Sequence, residues 1–285
     1  MFKCVLPIAF SEQLQYVDMH FLICVANMTN NAELTCDFFL GQRLEILQPK
    51  KGYRAGIDAL LLGSAAANFD SKNICELGSG VGVATLTCLA RRMDNKNPPQ
   101  KAIALEIDEN AAALFAQNSN KNGFTDIAAI VNIDGLKPNS PYENKFDLVF
   151  SNPPYFDDFS KIRNPHESRH QAYVIGAPLL NWIKAMIRLV KANGRLLLIH
   201  RADRMYDIID ALQGRAGDIR ILPIHPKTRE NANRVLISAK KSSKAPTQIL
   251  PPIFLRDSDN DKDYFPIIDE FCKGGQLDEL KGLSE

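Results

Sequence analysis

The segment Asn73-Ile74-Cys75-Glu76-Leu77 has strand length and runs straight into Gly78-Ser79-Gly80-Val81-Gly82, after which residues 83–92 read as a helix. A strand that turns into a helix over three glycines lets the backbone approach a ligand closely. The same alternation continues downstream. Residues 101–107 read as a strand, 109–122 as a helix ended by Gly123, and 127–133 and 146–150 as strands. Next come a helix over 179–191, stopped at Asn193-Gly194, a strand over 195–200 and a helix over 203–213. Segments 219–224 and 234–240 read as a final strand pair. Upstream, 38–47 forms a strand or hairpin, and Asp58 is a plausible N-cap for a helix over 59–68. Strands alternating with helices argue for an α/β fold with a mainly parallel sheet covered on both faces.

The glycine turn narrows the ligand. A dinucleotide site carries G-x-G-x-x-G with a pyrophosphate on the helix N-terminus, whereas here G-x-G-x-G follows an acid, Glu76. A carboxylate there repels pyrophosphate and suits the ammonium of an amino-acid donor. Glu106 ends the next strand, where it can accept from both hydroxyls of a ribose. Asp134 ends the third, within reach of an adenine amino group. Three acids at consecutive strand ends favour S-adenosylmethionine over NAD; each alone reads equally well as a cap or loop residue.

About seventy residues after that turn stands Ser151-Asn152-Pro153-Pro154-Tyr155. The lone pair of an exocyclic amino nitrogen is delocalised into its ring, which makes it a poor nucleophile. The Asn152 side-chain oxygen and the Pro153 carbonyl can each accept one N–H, drawing the nitrogen toward tetrahedral geometry. Acceptors fixed in advance need no reorganisation during reaction. Consecutive prolines lock φ and stiffen the turn, and Tyr155 offers a ring for stacking, worth roughly 1–3 kcal/mol per base. Taken alone, Asn-Pro-Pro is more often a turn that ends a strand.

Composition adds charge asymmetry. The net charge is +1, but residues 256–285 hold nine acidic and four basic side chains, so the rest of the chain is basic. Residues 227–244 carry six basic side chains and one acid, Glu230, and a second cluster comprises Lys161, Arg163, His166, Arg169 and His170. Basic clusters beside a site are the footprint of phosphate contact, although each alone reads equally well as a solvated face. Six cysteines without C-x-x-C or metal-ligand spacing point to reduced thiols, a cytoplasmic protein and no metal. The apolar stretch 21–26 is far short of the ~20 residues a spanning helix needs, so no membrane role is expected. Residues 1–27 are expected to be dispensable, with Met28 a candidate start. The loop 156–177 is long enough to suggest function rather than simple connection.

In these segments the chain resembles class I S-adenosylmethionine-dependent methyltransferases. Within them it is similar to the bacterial tRNA (adenine-N6)-methyltransferases that modify position 37. The matching residues are Arg54 to Gly63, the glycine turn, Leu105-Glu106-Ile107, Ser151 to Phe156, Arg169 to Tyr173 and Asn233 to Leu236. The resemblance implies a Rossmann-like, seven-stranded sheet with an antiparallel last strand. It divides the chain into an extension over 1–34, a methyltransferase domain over 35–245 and an acidic tail over 246–285, packed on or extending the domain. It implies donor contacts from Arg54, Glu76, Gly78, Ser79, Gly80, Gly82, Glu106, Ile107, Asp134, Gly135 and Asn152. Catalysis falls to Asn152, Pro153 and Tyr155, and substrate binding to Pro154, Tyr155, Phe156, Arg163, Arg169 and Arg234. The partner it implies is RNA, and tRNA among RNAs.

Two other acceptors fit the same chemistry: a glutamine amide in a release factor and guanine N2 in ribosomal RNA. The former enzymes typically add an N-terminal helical domain of about seventy residues. A non-enzymatic RNA-binding module would bind no donor.

Overall fold

The computed structural model describes residues 33–52, 54–155, 178–259 and 263–285. The loop 156–177 and the N-terminal residues 1–32 lie outside the described residues, and with them Phe156, Arg163, Arg169 and the second basic cluster. Leu34–Glu285 form one unit by contact.

A hairpin comes first: β1 (Leu34–Phe39) pairs antiparallel with β2 (Leu44–Pro49). Then follow α1 (Ile57–Ala67), β3 (Asn73–Leu77), α2 (Val83–Asp94), β4 (Lys101–Glu106), α3 (Glu109–Lys121), β5 (Ala128–Asn132) and β6 (Phe146–Ser151). The second half comprises α4 (Leu179–Leu189), β7 (Val190–Arg201), α5 (Met205–Leu212), β8 (Ala216–Lys227) and β9 (Arg234–Lys241). The short strands β10 (Gln248–Ile249) and β11 (Ile253–Arg256), helix α6 (Pro266–Cys272) and a 3-10 helix over Asp278–Leu283 follow.

Among the described residues the main sheet has nine strands in the order β10-β8-β9-β7-β6-β3-β4-β5, with β11 also on β8. Strands β3 to β7 pair in parallel, and β9 runs antiparallel to both neighbours, β7 and β8. The seven strands from β3 to β9 are the expected Rossmann-like sheet, and β10 and β11 extend its β8 edge. The chain winds outward from β3 through β4 to β5, then returns to lay β6 on the other side of β3. Ligands bind outside the carboxyl ends of strands where the order reverses. Here that point lies between β3 and β6, the strands that end in the glycine turn and in Asn152-Pro153-Pro154-Tyr155.

Period-two alternation sends side chains of one strand to opposite faces. Ile74, Leu148, Phe150, Leu197 and Leu236 face one core with α1, α2 and α6. Cys75, Leu77, Val149, Leu196 and Ile237 face the other with α4 and α5. The acid-rich C-terminal segment belongs to the first core, to which it contributes Ile268, Phe271, Leu277, Leu280 and Leu283. Arg91 donates to the Phe271 and Gly275 carbonyls, and Ser238 to the Leu283 carbonyl at 2.7 Å.

Three local expectations change. Asn193-Gly194 does not stop a helix: α4 ends at Leu189, and β7 runs through the pair. Asn193 has φ +62°, the β6–β7 register shifts between Phe146 and Leu148, and a Cβ on Gly194 would sit 2.9 Å from the Asp147 carbonyl. The pair is a kink that keeps the strand close to its neighbour. Strands β8 and β9 are not the last pair, because β10 and β11 follow. Asp58 is not the N-cap of α1. Gly56 holds that place without a side-chain hydrogen bond, and Asp58 lies in the first turn, where its charge suits the helix dipole.

Candidate active site

On the donor side the glycine turn is fixed through its backbone. The Gly78 and Ser79 N–H groups both donate to the Leu105 carbonyl, at 2.8 and 3.3 Å, and Gly82 N–H donates to the Ser79 carbonyl at 3.0 Å. All three glycines have positive φ: +71°, +54° and +97° for Gly78, Gly80 and Gly82. They differ in what surrounds them. A Cβ on Gly78 would strike Trp182 at 2.6 Å, and one on Gly82 would strike Phe115 at 2.5 Å. A Cβ on Gly80 meets no heavy atom within 4 Å. Gly78 and Gly82 are therefore fixed by packing, while Gly80 borders open space at the sheet's carboxyl edge.

Both glutamates stand behind this turn. The Glu76 Oε2 accepts from the Thr85 N–H at 2.9 Å and from its hydroxyl. Burial pushes Glu76 up to about 8; the Thr85 bonds oppose this, and the nearby Glu106 charge adds to it. Glu106 accepts Gly80 N–H at 2.7 Å and Asp108 N–H at 2.9 Å, and burial outweighs these bonds to hold its carboxyl above the usual range. Asn132 ties down the Glu106 and Ile107 carbonyls at 2.9 and 3.1 Å. At the end of β5, Asp134 Oδ1 accepts Leu136 N–H at 3.0 Å, an interaction within its own turn. A Cβ on Gly135 would lie 2.4 Å from Leu77 Cδ1, so glycine lets this turn pack against the end of β3 without moving that methyl.

The clamp leaves β6 alongside. The Ser151 hydroxyl donates to the Leu77 carbonyl at 2.7 Å, linking the clamp strand to the residue before Gly78. Pro153 is buried, and Asn152, Pro154 and Tyr155 are partly so. The Tyr155 hydroxyl donates to Asp58 Oδ2 at 2.8 Å, and Arg234 Nε donates to the same oxygen at 3.0 Å. The Arg234 guanidinium lies over the Tyr155 ring, 4.8 Å from its centroid, and His200 meets the ring edge-on at 5.0 Å. Burial pushes His200 down to about 4, and the Arg201 and Arg234 charges push the same way. The Pro154 carbonyl faces that imidazole closely enough to favour its protonated form, although without full hydrogen-bond geometry.

The other expected residues are engaged elsewhere. Arg54 donates to Thr35 at 2.9 Å and pairs with Asp37, both on the hairpin. The basic run 227–244 is largely paired within the protein. Lys227 meets Glu230 and Arg234 meets Asp58, while Lys241 donates to the Ile187 and Val190 carbonyls at the end of α4. Two contributors had no distinct signal in the sequence: Thr85 lies in a helix interior, and His200 is a single histidine at a strand end. Ser151 heads the clamp motif, but its bond to Leu77 is visible only in the fold. The strand-end position, shared with Glu76 and Glu106, was the available clue to His200.

The methyltransferase small-domain family model matches residues 56–209, a span that includes both the glycine turn and the clamp. The chain belongs to that family. It is similar, at 30% identity over 168 residues, to a protein of Bacteroides thetaiotaomicron named tRNA1(Val) (adenine(37)-N6)-methyltransferase; the match covers 58% of this chain and 67% of that one. A Porphyromonas gingivalis protein of the same name is 30% identical over 203 residues, covering 66% of this chain and 76% of its own. Among solved structures, a "predicted O-methyltransferase" of Agrobacterium tumefaciens superposes with a TM-score of 0.60 at 23% identity, covering 76% of this chain and 96% of that one. TYW2 of P. horikoshii, in complex with MeSAdo, gives 0.52 at 14% identity, covering 76% and 74%. These two likenesses concern the fold.

The enzyme is therefore an S-adenosylmethionine-dependent methyltransferase. Its residues fit that cofactor. Carboxylates stand at the ends of β3 and β4 and just beyond β5, chemistry suited to a donor with ammonium, sulfonium and ribose groups, and Gly80 leaves space where a side chain would intrude. Among the described residues no cluster of His, Cys, Asp and Glu has the arrangement of a metal site, and no helix is long and apolar enough to cross a membrane.

Proposed function

We propose that this methyltransferase acts on the exocyclic N6 of an adenine in cytoplasmic RNA, and that its acceptor is position 37 in a tRNA anticodon loop. The observation that carries the reading is the clamp sequence at the end of β6, tied through Ser151 to the last residue before the donor turn. The names of the Bacteroides and Porphyromonas relatives support the same acceptor.

Donor residues divide the work by chemistry. Glu106 takes the ribose hydroxyls, Asp134 with Gly135 and Ile107 borders the adenine, and Glu76 with Gly78, Ser79 and Gly80 lines the amino-acid end. S-adenosylmethionine, when bound, supplies a methyl carbon on a sulfonium, whose C–S electron pair returns to sulfur. The Asn152 side-chain oxygen and the Pro153 carbonyl accept the two N–H groups of the target amine and direct its lone pair. Tyr155 holds the base with the part of its ring that Arg234 and His200 leave uncovered. Positioning of this kind reaches effective molarities of about 10⁵–10⁸ M. No strong base is required, because the methylated nitrogen is acidic and loses its proton to solvent. An anticodon-loop base is already single-stranded, so extruding it costs less than flipping one from a duplex.

Mass spectrometry of nucleosides and peptides, after incubation of tRNA, rRNA and release factor with enzyme and labelled donor, tests the acceptor. N6-methyladenosine in tRNA is the expected product. Label in N2-methylguanosine or in a glutamine side chain would overturn the reading.

A further inference from the structure

The interactions around Tyr155 converge on one carboxylate oxygen. Asp58 Oδ2 receives the Tyr155 hydroxyl from the exit of β6 and the Nε of Arg234 from the first residue of β9. Asp58 itself stands in the first turn of α1. Three elements distant in sequence therefore meet at a single atom. A phenol has two side-chain torsions, and holding its hydroxyl while a guanidinium lies 4.8 Å from the ring centroid removes freedom in both. Hydrogen bonds to an ionised group are shorter and roughly twice as strong as neutral ones.

Stability alone does not account for this arrangement. The Asp58 and Arg234 side chains are 22% and 28% exposed, and neither belongs to a hydrophobic core. Part-exposed ion pairs contribute roughly 0–1 kcal/mol. Arg234 is also poorly disposed for a phosphate. Its Nε is on Asp58, its Nη1 donates to the Asn233 carbonyl at 3.0 Å, and its face covers Tyr155.

We propose that Asp58 is a positioning residue for methyl transfer, bracing Tyr155 in the clamp, and that Arg234 is part of this brace rather than a phosphate contact. The proposal rests on the clamp reading, but not on the acceptor being adenine. It also assigns Asp58 a role different from helix capping.

The test compares Asp58→Asn, Tyr155→Phe, the double variant and Arg234→Ala with the wild-type chain. Transfer of labelled methyl is measured into total bacterial RNA and total bacterial protein, and rates are compared on whichever acceptor the wild type labels. Label outside adenine would thus refute the acceptor assignment while leaving the brace testable. Each single variant should lower kcat about 10-fold or more, in line with the sensitivity of positioned reactions to small displacements. Donor affinity by calorimetry should stay within about 2-fold, since none of the three residues touches the donor turn. The double variant should be no slower than the slower single variant, because both changes weaken the same Asp58–Tyr155 contact. Multiplicative losses, or donor affinity falling in step with kcat, would overturn the proposal. Asp58→Asn keeps the side-chain shape, and if it fails to fold, Tyr155→Phe and Arg234→Ala still decide between the outcomes. For Arg234→Ala, the slope of log affinity for RNA against log salt should be unchanged; a slope shallower by about one would assign Arg234 to a phosphate. A wild-type enzyme that labelled neither RNA nor protein would remove the methyl-transfer premise and the brace with it.

Discussion

The donor turn and the acceptor clamp leave adjacent strands, β3 and β6, yet they are held in different ways. The turn is fixed by its own backbone, by the Leu105 carbonyl on the neighbouring strand and by two glutamates buried behind it. The clamp is fixed by side chains from far along the chain: Asp58, 97 residues before Tyr155, and Arg234, 176 residues after Asp58. A donor common to many enzymes suits a pocket shaped by backbone. An acceptor that differs between enzymes suits a clamp shaped by side chains, which can change one at a time.

The contrast is broken most sharply by Asn152→Ala. Loss of one preorganised acceptor typically costs about 10²–10³ in kcat, and no donor contact in the turn depends on it. Labelled-donor transfer should fall by that factor while calorimetric donor affinity falls far less; transfer at near wild-type rate would remove Asn152 from the clamp.

Next in size is a pair of substitutions within the turn. Gly82→Ala places a methyl 2.5 Å from Phe115 at φ +97°, so it should lower unfolding stability by roughly 2–3 kcal/mol. Gly80→Ala meets no protein atom within 4 Å, so its thermal cost should be limited to the left-handed backbone, about 1 kcal/mol. Its main effect should be on donor affinity, lowered about 10-fold or more by a methyl in the ligand's space. Equal melting temperatures for the two variants, or normal donor affinity in Gly80→Ala, would place the open space elsewhere.

The two regions also differed in how far the sequence revealed them. Strand–helix alternation and G-x-G-x-G are local signals, and they located β3 to β6 and the turn almost residue for residue. Asp58 followed a glycine at a helix start, which is also the signature of a cap, and only tertiary contact shows its carboxylate turned to Tyr155. For the run 227–244 composition does not show pairing, and only the fold shows Lys241 bound to the end of α4. The C-terminal segment read as an acidic tail packed on or extending the domain, but its net charge hid which residues do the packing: Phe271, Leu280 and Leu283 stand in helical pieces too short for a clear period. Asn193-Gly194 looked like a helix stop because a glycine needed for close strand contact and one needed for a cap are the same residue.

Glu76→Gln separates the turn's function from its stability. The carboxyl titrates at about 8 when folded against an ordinary 4.5, so the folded state binds the extra proton between those values. Stability therefore falls as pH rises through that window. The glutamine keeps an oxygen for the Thr85 donors and carries no charge to bury. Urea denaturation should find the variant more stable than wild type at pH 9 by roughly 2–4 kcal/mol, with the gap closing toward pH 4.5, while its donor affinity drops. A variant no more stable at pH 9 would mean that Glu76 is ionised without cost in the folded protein.

His200 gives the matching test on the clamp side, with the opposite sign and the smallest effect. Its imidazole is held at about 4 against an ordinary 6.5, first by burial and then by the Arg201 and Arg234 charges. Here the unfolded chain binds the extra proton, so this residue makes stability rise with pH across that window. From 4.5 to 6.5 the two groups pull against each other, and the wild-type curve should look flatter than either contribution. His200→Gln removes the clamp's share alone. Relative to wild type, the variant should gain about 1–2 kcal/mol on going from pH 7 to pH 4, exposing the slope set by Glu76. If urea midpoints for the two proteins run parallel from pH 4 to 7, His200 does not stay neutral beneath Tyr155. The Arg234 charge over that ring would then face a second cation at acid pH, and transfer should be lost there well before the protein unfolds.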